Sequence, residues 1–215
     1  MQVDSLYDYA HKYNVTLTDV HVEYFSSFLD FLEEWGSRMN LVGTSDRERI
    51  LTELILDSII PVPYLPGAGN MVDLGSGAGF PGLMIKIMKP DINIRLIESN
   101  RKKISFLKYV IRTLQLKNIT TVNERIETVA DFLKDEEINF ITSRAMTDLN
   151  NLIKLSVPFL KPGGTLIGFL GGEWKSQLKR NESFITENQL MIDNSVIYKL
   201  PKKPKERAIV FLKKQ

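Results

Sequence analysis

From Asn70 onward the sequence alternates between short apolar runs and amphipathic stretches, and few architectures accept that pattern. Met71–Leu74, Ile92–Ile97, Ile119–Val122, Phe140–Thr142 and Thr165–Phe169 read as strands. Between them lie Gly82–Met88, a helix stopped by Pro90, and Arg101–Leu116, with Ile104, Leu107, Val110, Ile111 and Leu114 on one face. Further helices are expected near 126–134 and 148–160, and Pro162-Gly163-Gly164 marks the turn into the fifth strand. Two parallel strands need a crossover between them, and a helix supplies it. The pattern therefore predicts an α/β chain with a parallel sheet covered on both faces. Met191–Leu200 and Ala208–Leu212 are separated only by a short Lys/Pro loop, which predicts an antiparallel hairpin closing the sheet.

Upstream, residues 1–60 read as helical. Val22, Phe25, Phe28, Leu29 and Leu32 recur at helical spacing, with Thr18 or Asp19 as the cap. Ile50, Leu51, Leu54 and Ile55 repeat the pattern within Arg47–Ile60. The Pro/Gly-rich stretch from Pro61 to Gly69 separates a helical N-terminal extension, 1–66, from the α/β part, 67–215. The first residues carry an early acid and no apolar core, and the apolar stretches are broken by Asp57, Pro61, Pro63 and Pro66. No signal peptide and no membrane span is expected, and the expected location is cytoplasmic.

Composition closes other routes. There is no cysteine, which removes disulfides, thiolate metal sites and cysteine nucleophiles. His11 and His21 are the only imidazoles, so a His-rich metal site is excluded and no metal is expected. The net charge is only +2, yet residues 1–60 hold 11 acids against 4 Lys/Arg. Residues 199–215 hold seven Lys/Arg against Glu206 alone, a tail that suits a polyanion such as RNA.

The most informative segment is Val72-Asp73-Leu74-Gly75-Ser76-Gly77-Ala78-Gly79-Phe80-Pro81-Gly82, between the first strand and its helix. A parallel sheet binds ligands at the C-terminal ends of its strands, where this loop lies. Glu98 closes the second strand, where a carboxylate can accept both ribose hydroxyls of a nucleoside. A phosphate loop would need Lys-Ser/Thr after the last glycine, and Leu83-Met84 stand there instead. Gly77, Gly79 and Gly82 meet the dinucleotide spacing, but Pro81 and the extra Gly75 fit it poorly. S-adenosylmethionine carries an ammonium rather than a pyrophosphate, and Asp73 before the glycines would complement that cation.

With these residues in view, the sequence resembles the glucose-inhibited division protein B family, bacterial guanine-N7 methyltransferases of 16S ribosomal RNA. The likeness runs from about Phe28 to Lys214. It is carried by Trp35-Gly-Ser-Arg-Met-Asn40-Leu41-Val42, Asp57-Ser58, Asp73-Leu-Gly-Ser-Gly-Ala-Gly-Phe-Pro-Gly82 and Ser143-Arg144-Ala145. The Phe-Pro-Gly ending and the Ser-Arg-Ala triplet are the specific elements. The resemblance implies a seven-stranded Rossmann-like class I methyltransferase sheet. It also implies S-adenosylmethionine contacts at Gly75, Phe80, Ile126, Glu127 and Arg144. Asp73, Gly77, Gly79 and Glu98 join that set from the reading of the loop. Where the family has a basic residue and a His before Asp-Ser, this chain has Glu53 and Leu54; where it has Leu-Lys-Gly, Leu170-Gly171-Gly172 stand.

The implied partner is 16S ribosomal RNA or the small ribosomal subunit, with the protein a monomer or weak dimer. Thr142-Ser143-Arg144-Ala145-Met146 replaces the Asp/Asn-Pro-Pro-Tyr/Phe motif of exocyclic amine methylation, and covalent C5 methylation lacks its cysteine. Guanine N7 carries a free lone pair and needs no general base. Arg144 is expected to orient the cofactor or the target guanine, through O6 or a phosphate if N7 is attacked. Trp35, Arg38 and Asn40, between N-terminal helices, are expected to form a lid or an RNA-facing surface, or else Trp35 packs the helical part onto the sheet. A methyltransferase acting on another RNA or a small molecule, or a cofactor-binding RNA module without catalysis, are the alternatives.

Overall fold

The computed structural model describes residues 5–37, 39–129, 133, 137–144 and 148–215. Arg38, Ala145, Met146 and most of the helix expected after residue 129 lie outside the described residues. Helices α1 (Ser5–His11) and α2 (Asp19–Gly36) open the chain. Thr18 caps α2 reciprocally: its hydroxyl accepts from the His21 N–H at 3.4 Å, and its own N–H donates to His21 Nδ1 at 3.1 Å. The apolar repeat over 47–60 forms one helical run of unequal winding: α3 (Arg47–Arg49), a π-helical segment (Ile50–Ile55) and α4 (Leu56–Ile59).

Seven strands then form one sheet: β1 (Gly69–Leu74), β2 (Ile92–Ile97), β3 (Ile119–Val122), β4 (Ile138–Ser143), β5 (Leu160–Leu170), β6 (Leu190–Tyr198) and β7 (Arg207–Lys214). Their order is β3-β2-β1-β4-β5-β7-β6. The first five are parallel; β7 runs antiparallel to β5, and β6 antiparallel to β7. Helices α5 (Gly82–Met88) and α6 (Arg101–Thr113) are the crossovers after β1 and β2, and α7 (Leu149–Ser156) is the one after β4. The seven-stranded, mostly parallel sheet and the closing hairpin are as the alternation predicts. Two short helices, α8 (Trp174–Arg180) and α9 (Glu182–Glu187), lie between β5 and β6, where no helix is expected from periodicity.

The strands bury near-continuous apolar runs because both sheet faces are covered; Met71, Val72, Leu74, Leu96 and Ile97 are all buried. The N-terminal helices join this core directly. Leu6, Phe25, Phe28 and Leu32 belong to one apolar cluster with Leu83, Phe106 and Leu107. Phe28 stacks edge-on against Phe80 of the glycine loop with ring centroids 5.5 Å apart, and lies 5.9 Å from Phe106. Trp35 sits 5.8 Å from Phe106 and 5.2 Å from Tyr109, so it packs α2 onto α6. No helix among the described residues is long and apolar enough to cross a membrane.

Phe28 is therefore the keystone of the α2 contact with the glycine loop. Phe28→Ala should cost about 3–5 kcal/mol in urea unfolding, the range for truncating a fully buried aromatic. A loss below about 1 kcal/mol would show that α2 is not part of the cooperative core.

Candidate active site

The C-terminal end of β1 runs into a loop that turns back under its own hydrogen bonds. Gly75 and Ser76 N–H both donate to the Ile97 carbonyl at 2.9 Å, and Gly79 N–H donates to the Ser76 carbonyl at 2.7 Å. Gly79 has φ +106°, a conformation side chains rarely adopt, and a Cβ there would lie 2.8 Å from Leu83 Cβ. At Gly82 the reason is contact: a Cβ would stand 2.6 Å from Leu96 Cδ2 and 2.7 Å from Asp73 Cβ.

Both acids singled out from the sequence bind this loop. Glu98 accepts from Gly77 N–H at 2.9 Å and, through its other oxygen, from Asn100 N–H at 2.8 Å. Asp73 Oδ2 accepts from Gly82 N–H at 3.1 Å, which ties the start of α5 to β1. Its Oδ1 is buried with no hydrogen-bond partner, and the residue is 0% exposed. Asp73 thus lies behind the loop rather than on its open side. Burial pushes its pKa up to about 7; Glu98 adds to the rise, and Ser76 and Gly82 oppose it.

The loop opens into a cavity of about 530 Å³. Gly75, Gly77, Phe80 and Arg144 of the expected set line it. The Cβ position of Gly75 is 3.8 Å from Ile126 Cδ1, so the turn Ile126–Thr128, which carries the exposed Glu127, abuts the loop. The opposite wall comes from Asp148, Phe169, Gln177, Tyr198 and Arg207. Leu41, Val42 and Gly43 separate this cavity from a second one of about 850 Å³, in which Asn40 lies. Among the described residues no cluster of three or more His, Asp or Glu side chains could hold a metal ion.

Arg144 is held more firmly than its position after a strand suggests. Its Nε donates to Asp57 Oδ2 at 2.8 Å, and Nη2 donates to the Glu53 carbonyl in the π-helical segment. Asp57 is only 1% exposed and gathers partners from three places: Arg144 after β4, the Tyr198 hydroxyl on β6, and Arg207 Nη1 on β7, 3.7 Å away. The aspartate and the Glu53 carbonyl turn a flexible side chain into a fixed one that lines the cavity. Asp57 was visible in the sequence only as half of a two-residue signature; Tyr198 and Arg207 carried no local signal at all.

Part of the basic tail is paired at the surface. Lys202 pairs with Glu48 at 2.6 Å, Lys203 with Glu53 at 3.0 Å and Lys199 with Glu206 at 3.9 Å, all three lysine side chains staying exposed. Lys214 Nζ donates to the Val157 and Leu160 carbonyls. Glu53 is occupied in turn by Arg49 at 3.0 Å.

Asp73 generates a pH prediction. Its folded pKa of about 7 stands above the unfolded 3.8, so the native state holds a proton that the unfolded chain has released between those values. Its contribution to stability is present below about pH 4 and falls away as pH rises toward 7, by up to about 4 kcal/mol. Asp73→Asn keeps an acceptor for Gly82 and should flatten that fall when urea unfolding is compared at pH 4.5 and 7.5. Equal slopes in both proteins would contradict the burial argument.

Comparison with known proteins agrees with this geometry. Residues 21–208 match the sequence profile of the family described as rRNA small subunit methyltransferase G. A ribosomal RNA small subunit methyltransferase G from Desulfotalea psychrophila is 34% identical over 184 residues, covering 85% of this chain and 84% of that protein. One of the same name from Staphylococcus aureus is 28% identical over 217 residues, covering 100% and 91%. Among solved structures, the precorrin-6y C5,15-methyltransferase of Geobacter metallireducens superposes with a TM-score of 0.54 at 15% identity, over 81% of this chain and 91% of that one. That likeness concerns the fold alone. With the profile spanning 188 of 215 residues and a relative 34% identical over 85% of this chain, the chain belongs to the rRNA small subunit methyltransferase G family.

Proposed function

We propose that the protein transfers a methyl group from S-adenosylmethionine to N7 of a guanine in 16S ribosomal RNA. The observation that carries this reading is one cavity walled on one side by the glycine loop and on the other by a clamped arginine. The residues suit the cofactor. Gly75 and Gly77 give it a backbone surface, Phe80 an apolar wall, and the turn at Ile126-Glu127 a place for the adenine. Each Glu98 oxygen accepts one N–H and keeps lone-pair capacity for the ribose hydroxyls. Asp73 contributes from behind the loop, by holding Gly82 N–H and so the start of α5 in place.

When bound, S-adenosylmethionine supplies a sulfonium methyl open to in-line displacement. The protein's part is position and electrostatics, and orientation alone supplies about 7–11 kcal/mol in well-aligned systems. The carboxylates on the cavity wall are already engaged: Asp57 by Arg144 and Tyr198, and Asp148 by the N–H of Asn150 at the start of α7. Asp57 is thereby kept from acting as a base, while Asp148 keeps its second oxygen open. N7, whose lone pair needs no deprotonation, requires no base. With N7 occupied by the incoming methyl, the free N–H groups of Arg144 are placed for O6 of the guanine or an adjoining phosphate.

The test is transfer of labelled methyl from S-adenosylmethionine to unmodified 16S RNA and to small subunits, followed by borohydride and aniline cleavage at 7-methylguanine. Wild type should give one cleavage position. Arg144→Ala should lower kcat by about a hundredfold, the loss expected for one preorganised donor. Label on another base or on a small acceptor would replace this reading, and an undiminished Arg144→Ala would remove that residue's role.

A further inference from the structure

We infer that the outward face of α6 is the docking surface for the phosphate backbone of the RNA substrate; this rests on the RNA-methylation reading above. Residues 101–117 contain six Lys/Arg and no acid. The fold separates the two faces of this helix. Ile104, Phe106, Leu107 and Val110 are buried, while Arg101, Lys102, Lys108 and Arg112 are exposed and Lys103 is half-buried. Arg101, Lys108 and Arg112 stand at i, i+7 and i+11 and so fall in one line along the helix, about 16 Å from end to end.

These cations differ from those of the C-terminal tail. Among the described residues no carboxylate forms an ion pair with any of the five on α6. Lys199, Lys202 and Lys203 are paired with acids, and Lys214 is spent on backbone carbonyls. An unpaired row of like charges raises the folded state's electrostatic energy unless an anion meets it, and an RNA strand presents phosphates in such a row.

Placement adds to charge. The helix begins at Arg101, directly after Asn100, whose N–H donates to Glu98, and Glu98 itself holds Gly77 of the loop. The start of the cationic line is therefore tied through Asn100 and Glu98 to Gly77 of the cavity wall. RNA bound along it would be positioned by its backbone without being read for sequence, leaving base selection to the cavity.

The experiment compares wild type with Arg101→Gln/Lys108→Gln/Arg112→Gln, and with Lys202→Gln/Lys203→Gln as the paired-lysine control. Binding to a 16S RNA transcript is measured between roughly 50 and 200 mM salt, together with S-adenosylmethionine affinity. The α6 variant should flatten the log-affinity against log-salt slope by about 2 and weaken RNA binding about tenfold or more, with cofactor affinity unchanged. The tail control should change the slope by less than half as much. An α6 variant that binds RNA like a wild type that methylates it would overturn the surface and leave the activity standing. A wild type that neither binds nor methylates RNA would instead remove the RNA reading, and this surface with it.

Discussion

The carboxylate of Asp57 is the point on which the candidate site depends. Burying a charge is costly unless partners surround it, and Asp57 has an arginine, a tyrosine hydroxyl and a second arginine. Those partners come from the end of β4, from β6 and from β7, while Asp57 sits on α4. One side chain therefore joins the N-terminal helices, the middle of the parallel sheet and the closing hairpin. Removing one partner from such a cluster typically costs about 3–5 kcal/mol, because the remaining charge is left buried. The return is that Arg144 reaches the cavity already oriented.

The glycine loop is arranged on the same principle. Glu98 and Asp73 each accept a backbone N–H of the loop or of the helix after it, so the backbone that would face a cofactor is held in shape before anything binds. The two acids differ in what remains. Glu98 is at the edge, with lone pairs to spare, whereas Asp73 is sealed in with one oxygen unpartnered. Phe80, between them and α2, passes the same rigidity to the helical extension through Phe28. Positioning of this kind is where a protein contributes most when the cofactor brings the chemistry.

The sheet was legible because parallel strands covered on both faces leave long apolar runs, and the crossover helix α6 leaves an amphipathic one. The hairpin was legible from its short Lys/Pro connection. What escaped notice depends on distance along the chain or on local winding. Tyr198 meets Asp57 across 141 residues, and no spacing rule reaches that far. The π-helical segment shares the apolar pattern of an ordinary helix, so Ile50, Leu51, Leu54 and Ile55 could not announce it; yet it supplies the Glu53 carbonyl that receives Arg144. π-helical turns recur at functional sites for this kind of reason. Charge is legible only in part: counting lysines points to the tail, and the fold shows which of them meet acids.

The central claim is that Asp57 acts on the reaction through Arg144. A double-mutant cycle with Asp57→Asn and Arg144→Ala, scored by kcat/KM for methyl transfer to 16S RNA, tests it most directly. S-adenosylmethionine affinity and urea unfolding serve as the readouts for purely structural damage. If the aspartate works by fixing the arginine, the double variant should be about as slow as Arg144→Ala alone, with a coupling energy of about 1–3 kcal/mol. Losses that simply add would contradict the account and leave Asp57 as a structural residue that happens to touch the site.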